Sequence, residues 1–222
     1  MSRQTDALPI AAAILAGGEA RRMAGADKSA LRVGPSRIID RQLALLRRIA
    51  DPVFIVSSRG GPRGGDSLQV VPDAVTGAGA LGGIYSALLA SPHARTIVVA
   101  CDMPFLTLPL LARLAEPSTA DVVMPRSARG YEPLCAAWAA GCADIIRRRI
   151  EQGLLKAAQL VEVLRIEEIG PDALAACDPL GLLFVNVNTP HDYERARELG
   201  RLESNSSGHR IMDVSDPDST PA

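Results

Sequence analysis

Short apolar runs recur along the chain, separated by stretches in which apolar residues return every three or four positions. The runs at residues 10–15, 53–56, 68–71, 97–100, 122–124 and 183–187 read as buried strands. In residues 38–49 the spacing places Ile39, Leu43, Leu46 and Ile49 on one face and Arg41, Arg47 and Arg48 on another, which predicts an amphipathic helix. Helices are also predicted over residues 84–90, 108–114, 144–152 and 191–199. This alternation predicts an α/β fold: one domain with a Rossmann-like, mostly parallel sheet and helices on both faces. Such sheets bind ligands outside the carboxyl ends of their strands. No internal repeat or Pro/Gly-rich linker divides the chain, so residues 1–202 are expected to form one domain. Residues 203–222, rich in Ser, Asp and Pro, are expected to be a disordered tail, because so little apolar surface cannot offset the entropy of ordering. Residues 59–66 (RGGPRGGD) read as a surface loop.

Composition narrows the range of functions. Of 222 residues, 47% are hydrophobic and only 3% aromatic, so the core is aliphatic and large enough to need no disulfide or structural metal. A net charge of −1 supplies no broad basic field, so neither a nucleic-acid partner nor a polybasic membrane surface is expected, and an anionic substrate must be met locally. Cys101, Cys135, Cys142 and Cys177 form no C-x-x-C pair, and His93, His191 and His209 add no zinc-ligand spacing. They read as reduced, buried thiols of a cytoplasmic protein. The first apolar stretch is too short to span a membrane and lacks a basic leader.

The chemistry is carried by a few segments. After the first strand comes Leu15-Ala16-Gly17-Gly18, followed by Arg22 and Lys28. Glycines directly after a strand let backbone N–H groups approach phosphate oxygens, and Arg22 and Lys28 supply charge. The alternative is an ordinary strand-to-helix turn with solvated arginines. Asp102, in Cys101-Asp102-Met103-Pro104, stands at the end of the fourth predicted strand as a hard oxygen ligand for a divalent metal. Its alternative role is to cap the next helix, for which Thr107 is better placed. The segment Asp73 to Gly83 contains G-x-G-x-x-G with Asp102 twenty residues beyond its last motif glycine, which raises the alternative of a NAD-dependent dehydrogenase. Against that, these glycines do not directly follow a strand. Asn186 and Asn188, two apart in an expected strand, would face one ligand together, unless Asn188 instead forms an Asx turn at the next helix. Nothing supports a covalent nucleophile, and Trp138 with three tyrosines is too little for a base-stacking platform.

Taken in order, L-A-G-G-x-x-x-R-M, D-K, D…G-x-L-G-G, C-D-M-P-F-L, R-x-x-E-P-L and N-V-N-T-P resemble the signature blocks of molybdenum-cofactor guanylyltransferases, from Leu15 to Pro190. The resemblance implies a nucleotide-diphospho-sugar-transferase type of α/β domain, magnesium as cofactor, and GTP and molybdopterin as substrates in a prokaryotic cytoplasm. It also implies transient contacts with cofactor-biosynthesis or acceptor enzymes. Carried over by position, it implies catalytic roles for Arg22, Lys28 and Asp102, with Asp102 on the metal. Leu15, Ala16, Gly17, Gly18, Lys28, Asp73 and Asp102 would hold the nucleotide. Leu81, Gly82, Gly83, Asn186 and Asn188 would face the pterin. Three positions depart from the family pattern: Ala24 replaces a glycine, Ala80 a proline, and Ser57-Ser58 stand where an asparagine can lie near the nucleoside. Cytidylyl transfer to the same cofactor and a non-catalytic nucleotide- or cofactor-binding relative are the other readings.

Overall fold

The structure is a computed structural model describing residues 9–16, 31–58 and 68–208, with side chains of the last helix as far as Glu203. In chain order, the first half runs β1 (Ala11–Leu15), β2 (Arg32–Val33), β3 (Ser36–Arg37), α1 (Ile38–Leu46), β4 (Val53–Val56), β5 (Val70–Val71), α2 (Gly79–Ala90) and β6 (Arg95–Ala100). There follow α3 (Leu108–Leu114), β7 (Val122–Ser127), β8 (Gly130–Tyr131), β9 (Cys135–Ala139), α4 (Cys142–Glu151), a 3-10 helix (Ala157–Glu162), β10 (Ile166–Ile169), α5 (Pro171–Cys177) and α6 (Pro190–Gly208). The main sheet has the order β10-β7-β9-β6-β1-β4-β5, with β8 paired to the end of β7. β1 lies parallel to β4 and β6, β4 to β5, and β7 to β10, whereas β9 runs antiparallel between β6 and β7.

Strand β1 shows why the sheet is covered on both faces. All five residues are buried, and the period of two sends Ala12 and Ile14 to one apolar cluster and Ala11, Ala13 and Leu15 to the other. The first cluster packs under α1, α3 and α5, the second under α2, α4 and the 3-10 helix. A third, smaller cluster of Val33, Ile38, Phe105, Val187 and Ala196 joins the β2–β3 hairpin to α6. The α/β class and the mostly parallel core expected from the sequence are both present, with β9 as the antiparallel exception.

Three expectations change. Residues 183–187 do not form a strand, because their backbone groups bond elsewhere. Leu182 and Leu183 N–H donate to the Asp178 carboxylate (2.7 and 3.0 Å), Arg129 donates to the Phe184 carbonyl, and Val187 N–H donates to the Asp102 carbonyl (2.9 Å). Second, Cys135–Ala139, which was not among the expected strands, forms one. It is central, buried on both faces, and so needs no polar positions. Finally, α6 runs through Gly208, so the boundary expected at residue 202 falls inside a helix. Residues 59–66 and 209–222 lie outside the described residues.

Candidate active site

Parallel pairing aligns the carboxyl ends of β1, β4 and β6: Leu15 is in register with Val56 and with Ala100. The alignment continues one residue further, since Ala16 N–H donates to the Val56 carbonyl (2.8 Å) and Cys101 N–H to the Leu15 carbonyl (3.1 Å). Ser57 N–H donates to the Val71 carbonyl (2.9 Å), which extends the row to β5. Leu15, Ala16, Asp73 and Asp102 therefore come to one edge, where an open α/β sheet binds ligands. Gly17, Gly18, Arg22 and Lys28, which follow Ala16 in the chain, lie outside the described residues.

Asp102 is half-buried in the turn after β6. Helix α3 does not use it as a cap. Thr107 fills that role, its hydroxyl accepting from Leu110 N–H at 3.5 Å and donating to the Cys177 carbonyl at 2.9 Å. Asp73 is also half-buried, and burial pushes its carboxyl above the usual value near 3.8, against the opposing hydrogen bond from Ser58. The buried Ser86 hydroxyl fixes the loop beside it, accepting from Ala74 N–H (2.9 Å) and donating to the Gly82 carbonyl (2.8 Å).

The residues expected on the pterin side separate into two groups. Leu81, Gly82 and Gly83 are buried in the first turns of α2, where a Cβ on Gly83 would lie 3.0 Å from Leu15 Cδ1. Their side-chain positions are occupied by packing. Asn186 adjoins Val187, the residue bonded to Asp102, and its buried Oδ1 has no hydrogen-bond partner among the described residues. Asn188 is exposed, and the helix start is capped by its neighbours instead. Thr189 and Asp192 form a reciprocal capping box at 3.1 and 2.9 Å, and the Thr189 hydroxyl holds the Asp192 carboxyl below its usual value. Asn186 opens into a cavity of about 330 Å3 rimmed by Arg129 and Arg195. It adjoins a second, of about 550 Å3, floored by Pro171, Leu174, Ala175 and Phe184 and flanked by Arg126.

Sequence reading passed over Gln42. Only 1% exposed, it lies on the apolar stripe of α1, and its amide donates to the Ala100 and Met103 carbonyls (2.8 and 3.0 Å), on either side of Asp102. A polar residue among Ile39, Leu43 and Leu46 was the available signal.

Magnesium requires few protein ligands, usually one or two carboxylates completed by substrate phosphates and water. Among the described residues no group of three or more His, Cys, Asp or Glu forms a ready cage, but the half-buried Asp102 supplies hard oxygen at the sheet edge. That donor fits a magnesium ion that enters with a triphosphate.

The carboxyl-edge row, with half-buried acids beside it, is where an α/β fold of this kind takes a nucleotide, and similarity to known proteins places the chain among the nucleotidyltransferases. The profile of the MobA-like NTP transferase domain matches residues 12–168, and the chain belongs to this family. A probable molybdenum cofactor guanylyltransferase of Pelotomaculum thermopropionicum is 36% identical over 84% of this chain and 91% of its own length. The molybdenum cofactor guanylyltransferase of Desulfosudis oleivorans is 31% identical over 85% of this chain and 96% of its own. Among solved structures, molybdopterin-guanine dinucleotide biosynthesis protein A from Archaeoglobus fulgidus superposes with a TM-score of 0.72 at 27% identity, covering 86% of this chain and 99% of that one. Membership of a nucleotidyltransferase family removes the dehydrogenase reading. The structure agrees, since β5 ends at Val71 and Gly77, the first motif glycine, lies six residues further on. No helix among the described residues is long and apolar enough to cross a membrane.

Proposed function

We propose that this chain transfers the guanylyl group of GTP to the terminal phosphate of molybdenum-loaded molybdopterin and releases pyrophosphate. The observation that carries the reading is the extent of agreement with relatives named for this activity, over more than four-fifths of the chain. The sheet-edge row supports it by offering a place for the nucleotide.

An oxygen of the pterin phosphate attacks the α-phosphorus of GTP in line, and the bond from that phosphorus to the α–β bridging oxygen breaks. The electron pair leaves with pyrophosphate, and no enzyme nucleophile is needed. Two anions must meet, so the work of the chain is positioning and charge neutralisation. Arg22 and Lys28 neutralise phosphate charge, the Gly17-Gly18 backbone approaches the phosphates, and Asp73 holds the nucleoside. Asp102 would hold magnesium, which when bound would supply Lewis-acid charge stabilisation. Asn186 faces the acceptor, whose anionic group is drawn by Arg129 and Arg195 at the cavity rim. Asn188 and the backbone of the first turn of α2, from Leu81 to Gly83, complete that side.

Purified protein given molybdenum-loaded pterin and magnesium should release pyrophosphate with GTP well ahead of CTP or ATP. A wrong base leaves buried polar groups unpaired at about 1–3 kcal/mol each, or roughly tenfold to a hundredfold per group. Ser57, 4% exposed at the end of β4, can donate or accept, so the expected result is preference rather than exclusion. A clear CTP preference would convert the assignment to cytidylyl transfer. Nucleotide binding without pyrophosphate release from any triphosphate would identify a non-catalytic relative.

A further inference from the structure

Helix α1 presents two adjacent polar side chains, Arg41 and Gln42, to the turn after β6. Gln42 is buried, and both N–H bonds of its amide are used, one on the Ala100 carbonyl at 2.8 Å and one on the Met103 carbonyl at 3.0 Å. Arg41 Nε donates to the Pro104 carbonyl at 3.0 Å, and its guanidinium lies 5.9 Å from the centre of the Phe105 ring. The other side of the same guanidinium meets the Glu203 carboxylate of α6 at 2.7 Å, with the two side chains only 22% and 31% exposed. Val187 N–H supplies the remaining bond, to the Asp102 carbonyl at 2.9 Å. The carbonyls of Ala100, Asp102, Met103 and Pro104 thus each accept a bond from outside the turn. A leucine at position 42 would suit the apolar stripe of α1 but would leave these carbonyls without their donors, so the turn accounts for the amide N–H groups, although the buried Oε1 has no partner among the described residues.

We infer that Gln42 and Arg41 are positioning residues that fix the Asp102 carboxylate for the metal, and that Glu203 of the last helix holds Arg41 in place. This rests on the assignment of Asp102 to magnesium. The physical basis is the steep dependence of phosphoryl chemistry on geometry, in which a displacement of about 1 Å can cost roughly a hundredfold. The described contacts of Arg41, Gln42 and Glu203 are to the protein itself and none is assigned to nucleotide or pterin, so nucleotide binding without metal is the internal control.

The test compares full-length wild type with Gln42→Met, which keeps the side-chain length and removes both donors, and with Glu203→Gln. Mn2+ binding is read by electron paramagnetic resonance with GTP present, beside the magnesium dependence of turnover, metal-free GTP binding and the melting temperature. In Gln42→Met the half-saturating metal concentration should rise and kcat should fall, each by about tenfold or more, with KM for GTP and metal-free affinity within about threefold. Glu203→Gln should move metal dependence in the same direction by about twofold to fivefold. Unchanged metal dependence and kcat in folded Gln42→Met would overturn the inference, whatever happens to the melting temperature. Should Gln42→Met not fold, Glu203→Gln with Arg41→Lys decides, and unaltered metal curves in both would overturn it. Mn2+ binding lost in Asp102→Asn but intact in Gln42→Met would sink the positioning role alone. Binding unchanged in Asp102→Asn would remove both it and the assignment of Asp102.

Discussion

Asp73 is a carboxylate whose place in the fold is unfavourable to its charge. Burial raises its pKa above 3.8, and the Ser58 hydrogen bond only partly opposes the shift. The folded state therefore binds this proton more tightly than the unfolded state, so stability falls as pH rises from the ordinary carboxylate range through the raised folded value. At neutral pH the ionised group carries a cost that a neutral amide of the same shape does not. Asp73→Asn should therefore melt at or above the wild-type temperature at pH 7, with the difference vanishing near pH 3, while GTP binding weakens. Functional residues show this opposition between stability and binding when their charge is needed by a ligand. Thermal melts across that pH range, paired with GTP titration at pH 7, check both halves. A lower melting temperature with intact GTP binding would make Asp73 a structural acid.

At the scale of elements, α2 packs through two adjacent glycines with different surroundings, Gly83 against Leu15 of β1 and Gly82 against the segment that leads into the helix. A Cβ on Gly83 would meet the tip of the Leu15 side chain at 3.0 Å, which a rotamer adjustment can relieve. On Gly82 it would meet Ala78 Cβ at 2.9 Å and the Val75 backbone carbonyl at 3.0 Å, neither of which can swing away. Replacing a mid-helix glycine by alanine gains roughly 0.5–1 kcal/mol, whereas overpacking costs about 1–3 kcal/mol. Gly83→Ala should thus be near neutral, and Gly82→Ala destabilising by about 1–2 kcal/mol on balance, as measured by urea denaturation. Equal effects would mean that the helix shifts as a body. These glycines also show where sequence reading stops. Gly82 closes the G-x-G-x-x-G that raised a dinucleotide-binding loop, yet it and Gly83 lie in a helix and are buried by packing. β1, β4, β6 and β7 were legible as short aliphatic runs and α1 by its helical period, whereas the edge strand β10, Ile-Glu-Glu-Ile, is too short and too polar to stand out. β9 was not legible either, because Cys-Ala-Ala-Trp-Ala is built mostly of alanine and lacks the Val and Ile residues that marked the other buried strands. The place of Asp102 at the carboxyl edge was legible because an aliphatic run ends just before it and Pro104 breaks the chain just after. Gln42 was not, because the carbonyls that explain it are 58 and 61 residues away.

Across the whole molecule, the last helix connects regions that the sequence separates. Through the cluster of Val33, Ile38, Phe105, Val187 and Ala196, α6 packs on the β2–β3 hairpin and the segment after Asp102, and through Glu203 it reaches Arg41. Trp138, the only tryptophan, is fully buried on β9, in register with Thr96 of β6 and Val122 of β7. It therefore sits where the β1-centred half of the sheet meets the β7–β10 half, and its fluorescence reports whether the two open together. Because α6 runs through Gly208, the tail expected from residue 203 is better tested with two truncations. A chain ending at residue 208 should keep the wild-type melting midpoint within about 2 °C, because residues 209–222 carry too little apolar surface to anchor a core. A chain ending at residue 202 loses the Glu203 carboxylate and the end of α6. A partly screened ion pair of up to about 1 kcal/mol corresponds to roughly 2–4 °C for a domain of this size. The shift should come as one cooperative transition by tryptophan emission and by circular dichroism alike. Its metal dependence should move as in Glu203→Gln, so that activity at limiting magnesium falls more than stability does. If the chain ending at residue 208 melts many degrees lower, residues 209–222 pack on the domain. If the chain ending at residue 202 matches wild type in both midpoint and magnesium dependence, α6 after Leu202 has no part in the site.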